Sequence, residues 1–142
     1  MSSEAHPSAC TPSLAPIEIS FLMPKSIFTN VHIHLTFLAT SAVVFLTTTA
    51  VGESVGTVRP MGSFVYGMPD RTNPANTLCT VLYSVPSTID YATRMARILA
   101  RRMQMPVYVG CSVDFSGSTV EEETAGLTKI VETILSKWEE FK

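Results

Sequence analysis

The chain has 142 residues, of which 46% are hydrophobic and 15% are charged, and its formal net charge is −2. This length and apolar content predict a single domain with a substantial core. The small net charge argues against a protein that binds nucleic acid or an anionic membrane surface. The three cysteines cannot all pair and no signal peptide is recognisable, so we expect a reducing compartment, the cytoplasm and also the nucleus.

Charged residues are distributed unevenly along the chain. Seven of the 22 precede Asp90, and none lies between Lys25 and Glu53. A sheet formed by the first two thirds of the chain would therefore present little charged surface. Such a sheet is expected to be largely buried or to pair with a partner.

The N-terminal third predicts a tail followed by strands. Residues 1–16 are rich in Ser, Ala and Pro, which predicts a disordered tail before a single domain of residues 17–142. Apolar alternation from Ile17 to Phe21 predicts a short edge strand. The uncharged run Val31–Val51 is long enough to cross a bilayer, and a single-span membrane protein is one alternative. Its period of two favours a β-hairpin with a turn at residues 39–41.

The middle of the chain predicts two more strands and a helix. Residues 63–68 and 78–83 have strand patterns, separated by a turn-rich loop. Ser87 is the predicted N-cap of the helix, with Asp90 reaching back to it. The helix has an apolar stripe and ends before Pro106, and its stripe residues are Ala92, Met95, Ala96, Leu99 and Met103.

A last strand and helix complete the predicted fold. Residues 107–113 alternate as a buried strand, and Ser118 with Glu121 predicts the start of a helix that runs to Phe141. The expected class is therefore α+β, a mostly antiparallel sheet of about six strands packed with two helices.

Four residues raise the question of catalysis or metal binding. His32 and His34 lie on the same side of a predicted strand, and Cys79 or Cys111 could complete a zinc site or act as a nucleophile. Neither cysteine has metal-ligand spacing, and no phosphate loop or nucleophile elbow is present. We therefore expect no enzyme, no metal and no cofactor, with a small metal- or cysteine-dependent hydrolase as the alternative.

The predicted central helix carries a row of arginines. Residues 90–113 have a net charge of +3, and residues 114–142 have a net charge of −4. The two helices could be solvated faces that pair with each other. The other interpretation is a basic patch that binds an acidic protein surface, because guanidinium groups suit carboxylates. On that hypothesis Arg94, Arg97 and Arg101 are the protein-binding residues.

Three segments together resemble the proteasome assembly chaperone 4 family, in its fungal form. The first runs from Leu99-Ala100-Arg101-Arg102 into Pro106-Val107-Tyr108-Val109. The second is His32-Ile33-His34-Leu35, leading through Thr40-Ser41 into Val43-Val44-Phe45-Leu46. The third is the closing Trp138-Glu139-Glu140-Phe141. The similarity covers residues 30–142, and the uncharged turn at residues 39–41 and the longer segment 52–71 depart from the vertebrate pattern.

The resemblance implies a non-enzymatic scaffold for assembly of the 20S proteasome core. Its members are expected to form a heterodimer with an assembly chaperone 3-type subunit. That heterodimer would hold alpha-type subunits, alpha-5 in particular, while the alpha ring forms, and would leave as beta subunits arrive. An isolated subunit with an exposed surface could also form a homodimer.

Overall fold

A computed structural model describes residues 15–24, 28–52, 60–73 and 75–142. Residues 1–14 of the predicted tail and residues 53–59 of the predicted loop lie outside the described residues. The described parts form six strands and two helices, in the predicted order. These are β1 (Ile17–Leu22), β2 (Thr29–Phe37), β3 (Ala42–Ala50), β4 (Ser63–Pro69), β5 (Thr77–Tyr83), α1 (Ile89–Met103), β6 (Val107–Ser112) and α2 (Val120–Phe141).

The six strands form one sheet in the order β1-β2-β3-β6-β4-β5. All neighbouring strands are antiparallel except β3 and β6, which are parallel. Helix α1 carries the chain from the edge strand β5 back to β6 in the middle of the sheet. The predicted α+β class with a mostly antiparallel sheet is confirmed.

The uncharged run Val31–Val51 forms the hairpin of β2 and β3. The turn is closed by the backbone N–H of Leu38, which donates to the carbonyl of Ser41 at 2.8 Å. Along β2, apolar residues that point toward the helices alternate with polar residues that point away from them, as a period of two requires. Within the described ranges, no helix is both long and apolar enough to cross a membrane.

Both helices pack on the same face of the sheet, and the core lies between them and the strands. Gly67 of β4 allows α1 to approach, because a Cβ atom there would lie 2.9 Å from the carbonyl oxygen of Ala96. At the other side Phe141 of α2 stacks on Phe37, with ring centroids 4.7 Å apart. The largest fully buried side chains of this core include Ile33, Leu35, Leu46, Val65, Met95, Leu99, Val109, Ile130 and Ile134.

The start of α1 differs from the sequence prediction. The N-cap is Thr88, not Ser87, and no side chain caps the helix. The Thr88 hydroxyl instead lies 2.9 Å from the hydroxyl of buried Ser63, which also accepts from the backbone N–H of Val85 at 2.8 Å. This buried network fixes the helix start to the first residue of β4. The hydrogen bonds between Thr88 and the distant Ser63 therefore determine where α1 begins, and Ser87 does not cap the helix.

The start of α2 is displaced by one residue from the prediction. Thr119, not Ser118, is the N-cap, and its hydroxyl accepts from the N–H of Glu122 at 3.2 Å. The Glu122 carboxylate accepts in return from the N–H of Thr119 at 2.9 Å. A capping box is present as predicted, but Thr119 and Glu122 form it instead of Ser118 and Glu121. Both Ser118 and Thr119 suit the motif, so the sequence alone does not distinguish them.

Candidate protein-interaction surfaces

No described helix or strand covers the face of the sheet opposite the helices, and the described loop residues Pro60 and Met61 lie against its part formed by β3 and β6. We call the face opposite the helices the open face. It carries every second residue of the strands, including Ser20, His32, Val43, Phe45, Thr47, Phe64, Tyr66, Met68, Leu78, Tyr108 and Ser112. Among the strand residues of this face, Glu18 alone carries a formal charge. A six-stranded surface with so little charge is suited to contact with another protein.

Four aromatic side chains on β3, β4 and β6 form the centre of the open face. We call Phe45, Phe64, Tyr66 and Tyr108 the aromatic patch. The rings of Phe45 and Phe64 are stacked at 6.1 Å, and those of Tyr66 and Tyr108 lie 4.7 Å apart. Because the four rings support one another, the patch is a preformed contact surface.

Gly110 of β6 makes room for the aromatic patch. A Cβ atom at this position would lie 2.6 Å from Cδ1 of Phe45 and 3.1 Å from Cγ of Met61. The phenyl ring can therefore lie flat on the backbone of β6 only because residue 110 has no side chain.

The part of the open face formed by β1, β2 and β3 is polar. Both ring nitrogens of His32 are hydrogen bonded, Nδ1 to the Ser20 hydroxyl at 2.7 Å and Nε2 to the Thr49 hydroxyl at 2.8 Å. His34 lies edge-on to Phe45 at 6.3 Å. The hydroxyl of Thr47 is buried and has no hydrogen-bond partner among the described residues. This polar part offers directional contacts beside the apolar patch.

The structure separates the residues of the metal or nucleophile hypothesis. His32 and His34 lie on the open face, whereas Cys79 and Cys111 lie on the face that packs against α1. Burial raises the pKa of the Cys111 thiol to about 11, which keeps it protonated and unreactive near neutral pH. No cluster of three metal-ligating side chains occurs in the described part of the chain. The sheet itself therefore prevents these four residues from forming one site.

The arginines predicted to bind protein lie together on the outer side of α1. Arg94, Arg97 and Arg101 line a groove between α1 and the start of β5, together with Asn76, Thr77 and one acidic residue, Asp90. We call the three arginines the arginine row. All three are exposed. The structure thus brings the predicted residues together on one side of the helix.

Helix α2 does not neutralise the arginine row. The ion pairs of α2 lie within that helix, from Lys137 to Glu140 at 3.8 Å and from Lys142 to Glu139 at 3.3 Å. No ion pair between α1 and α2 occurs among the described residues. Arg94 and Arg102 both line the groove between the two helices, as does Glu132, whereas Arg97 and Arg101 do not line it. Pairing of the two helices is therefore not the role of the three arginines.

The aromatic patch was not identified from the sequence, although its signal was there. The low charge of the first two thirds of the chain indicated a sheet that is buried or paired. The specific signal is an aromatic side chain at the outward position of three strands, as at Phe45, Tyr66 and Tyr108. Only the observed strand order, with β6 between β3 and β4, makes these residues neighbours.

Comparison with known proteins agrees with this non-catalytic surface. The family model described as proteasome assembly chaperone 4 matches residues 30–113, which is more than half of the chain. A chain from the crystal structure of a novel chaperone complex for yeast 20S proteasome assembly is similar in fold, with a TM-score of 0.54 and 19% identity. The match covers 88% of this chain and 94% of that chain. A search of curated proteins gave no match. The family resemblance inferred from the sequence is confirmed.

Proposed function

Because the chain belongs to the proteasome assembly chaperone 4 family, a family of non-catalytic chaperones, we propose that its open face binds an assembly chaperone 3-type subunit. The heterodimer then holds alpha-type subunits, alpha-5 in particular, during assembly of the alpha ring. The observation that carries this proposal is the preformed, nearly uncharged aromatic patch on a sheet face that no described helix covers.

The dimensions of the open face support the proposed heterodimer. Six strands about 4.8 Å apart give a surface roughly 24 Å wide, and strands of this length extend roughly 20 Å. The flat area of such a face, roughly 480 Å² before side-chain relief is counted, is more than half of the about 800 Å² that a standard interface buries on each partner. Aromatic residues at the centre and hydroxyl and imidazole groups at one side match the arrangement of an apolar centre with a polar margin.

The polar part of the open face favours a different partner over a second copy of the chain. The ring nitrogens of His32 are already bonded to Ser20 and Thr49, so this part presents a fixed polar surface that an opposing protein must match. A partner of different sequence can match it at every position, whereas a symmetric pair must use the same residues twice. A homodimer of the isolated chain is therefore expected to be weaker than the heterodimer.

The arginine row is the proposed contact with the alpha-type subunit. It lies on the helix side of the sheet, so a chaperone on the open face leaves it accessible. Guanidinium groups without an ion-pair partner in the described chain favour an acidic surface. A contact that depends on exposed charges is also reversible, as a chaperone that must later be released requires. We place this activity in the cytoplasm and nucleus, with neither nucleic acid nor membrane as a partner.

The heterodimer is tested by titrating the chain with a purified chaperone 3-type subunit. Tyr66→Lys places an ammonium group in the aromatic patch, where an interface would remove it from water, and we expect at least a hundredfold rise in Kd. Ser136→Lys adds the same charge on the exposed side of α2 and is the control, with an unchanged Kd.

Two results would overturn the heterodimer proposal. One is a wild-type chain that does not bind the chaperone 3-type subunit. The other is a folded Tyr66→Lys variant that binds as tightly as the wild type. If that variant does not fold, Leu78→Lys provides the same test, because Leu78 is half exposed at the margin of the patch.

A further inference from the structure

Strand β5 is an edge of the sheet with an unusual composition. Among the described residues it pairs with β4 alone, so alternate backbone N–H and C=O groups on its other side have no strand partner. Its seven residues, TLCTVLY, include no charge and no proline. Natural edge strands usually carry such residues because they prevent pairing with other chains. Strand β5 lacks this protection.

The side chains of β5 are exposed on both faces of the sheet. Leu78 on the open face and Val81 on the helix side are both about half exposed, at 50% and 49%. The opposite edge strand β1 is different, because Ile17, Ile19 and Phe21 pack against the core, whereas Cys79 alone of β5 does so, and because Glu18 gives β1 a charge. The two edges of the sheet are therefore not equivalent, and β5 is the one prepared for an added strand.

The arginine row runs beside this edge. The Thr77 hydroxyl at the start of β5 donates to the carbonyl of Arg97 at 3.3 Å, which fixes the row close to the strand. From Arg94 to Arg101 the helix rises about 10 Å, which is about three residues of extended chain. Alternate side chains of a strand added to β5 would thus lie under the guanidinium groups.

We propose that β5 binds an extended segment of the alpha-type subunit as an additional strand of the sheet. The segment alternates acidic and apolar residues. Its acidic side chains face Arg94, Arg97 and Arg101, and its apolar side chains continue the open face beyond Leu78. This inference rests on the proposed contact between the arginine row and the alpha-type subunit, and it specifies the mode and the chemistry of that contact.

The test is hydrogen–deuterium exchange of the purified heterodimer with and without an alpha-5-type subunit. In the proposed complex about three of the seven β5 amides, those that point outward, gain protection of at least tenfold. Arg97→Glu combined with Arg101→Glu is expected to raise the Kd for the alpha subunit at least tenfold and to abolish this protection. Arg102→Glu, a single charge reversal on the side of α1 that faces α2, is the control and leaves both unchanged.

The outcomes separate this inference from the function on which it rests. If the double variant weakens binding but the β5 amides exchange as fast in the complex as without the alpha subunit, the arginine contact stands and strand addition is refuted. If the β5 amides are already protected in the heterodimer alone, the edge is occupied by the partner chaperone, and the proposal is also refuted. If the alpha subunit does not bind, the proposed function fails, and the inference fails with it.

Discussion

The two faces of the sheet differ in packing, although the same strands form both. On the helix side Ile33, Val65 and Leu99 are fully buried, and their environment is aliphatic. On the open face Phe45 and Tyr66 are only partly buried, and their neighbours are rings, hydroxyl groups and imidazoles. Alternation along each strand therefore places the core on one face and the proposed recognition surface on the other.

The largest effect on stability is expected on the helix side. Leu99→Ala removes a fully buried side chain of α1, and the cavity left behind costs about 2–5 kcal/mol of unfolding free energy. Urea denaturation of the isolated chain measures this loss. Leu78→Ala, at a half-exposed position of β5, is the comparison and is expected to cost less than about 1 kcal/mol. Similar losses for both variants would contradict the division between the faces.

A smaller loss is expected at the polar contact that ties α1 to the sheet. Ser63→Ala leaves the Val85 N–H without its buried partner and removes one hydrogen bond of the Thr88 hydroxyl, which keeps the backbone N–H of residue 63, at a cost of about 1–3 kcal/mol. Ser87→Ala, at the cap position predicted from sequence, should change the unfolding free energy by less than about 0.5 kcal/mol. The reverse order of effects would restore Ser87 as the cap.

The fold could be predicted from sequence where the local pattern decides the structure. Period two separated β2 and β3 from a membrane helix, and Pro106 set the limit of α1, whose chain leaves the helix through the left-handed residue Gln104. The predicted N-cap of each helix was wrong by one residue, because a serine and a threonine are adjacent at both helix starts and either can be the N-cap. At Thr88 the choice depended on Ser63, 25 residues away, which no local pattern reveals.

The interaction surfaces were only partly predictable. The arginine row follows from helical spacing, so its three residues could be identified in advance. The aromatic patch and the exposed β5 edge depend on strand order, because β6 enters the sheet between β3 and β4. That insertion is a long-range event, and alternation within a single strand does not encode it.

Alkaline pH provides a test of burial on the helix side of the sheet, at Cys111. Burial raises the pKa of Cys111 from 9.0 to about 11, so the unfolded chain loses this proton at lower pH than the folded chain. The contribution of this thiol to the unfolding free energy is complete below pH 9 and is lost as the pH rises toward 11. The folded chain therefore becomes less stable over this window. Denaturation at pH 8 and pH 10.5 should show a smaller decrease for Cys111→Ala than for the wild type. An equal decrease in the two proteins would mean that the Cys111 thiol does not cause the loss of stability at alkaline pH.

The smallest effect on stability is expected on the open face, at Phe45. Its side chain rests on Gly110 and remains 38% exposed, so Phe45→Ala removes less buried area than a core substitution. We expect a loss of about 1 kcal/mol in the isolated chain but at least a tenfold rise in the Kd for the chaperone 3-type subunit. Urea denaturation and titration of the same protein sample measure the two quantities. A large loss of stability with unchanged affinity would make Phe45 part of the core and would remove the aromatic patch from the interface. If Phe45→Ala weakens binding far more than it lowers the unfolding free energy, the side chain of Phe45 serves the interface more than the fold, as we propose for the open face.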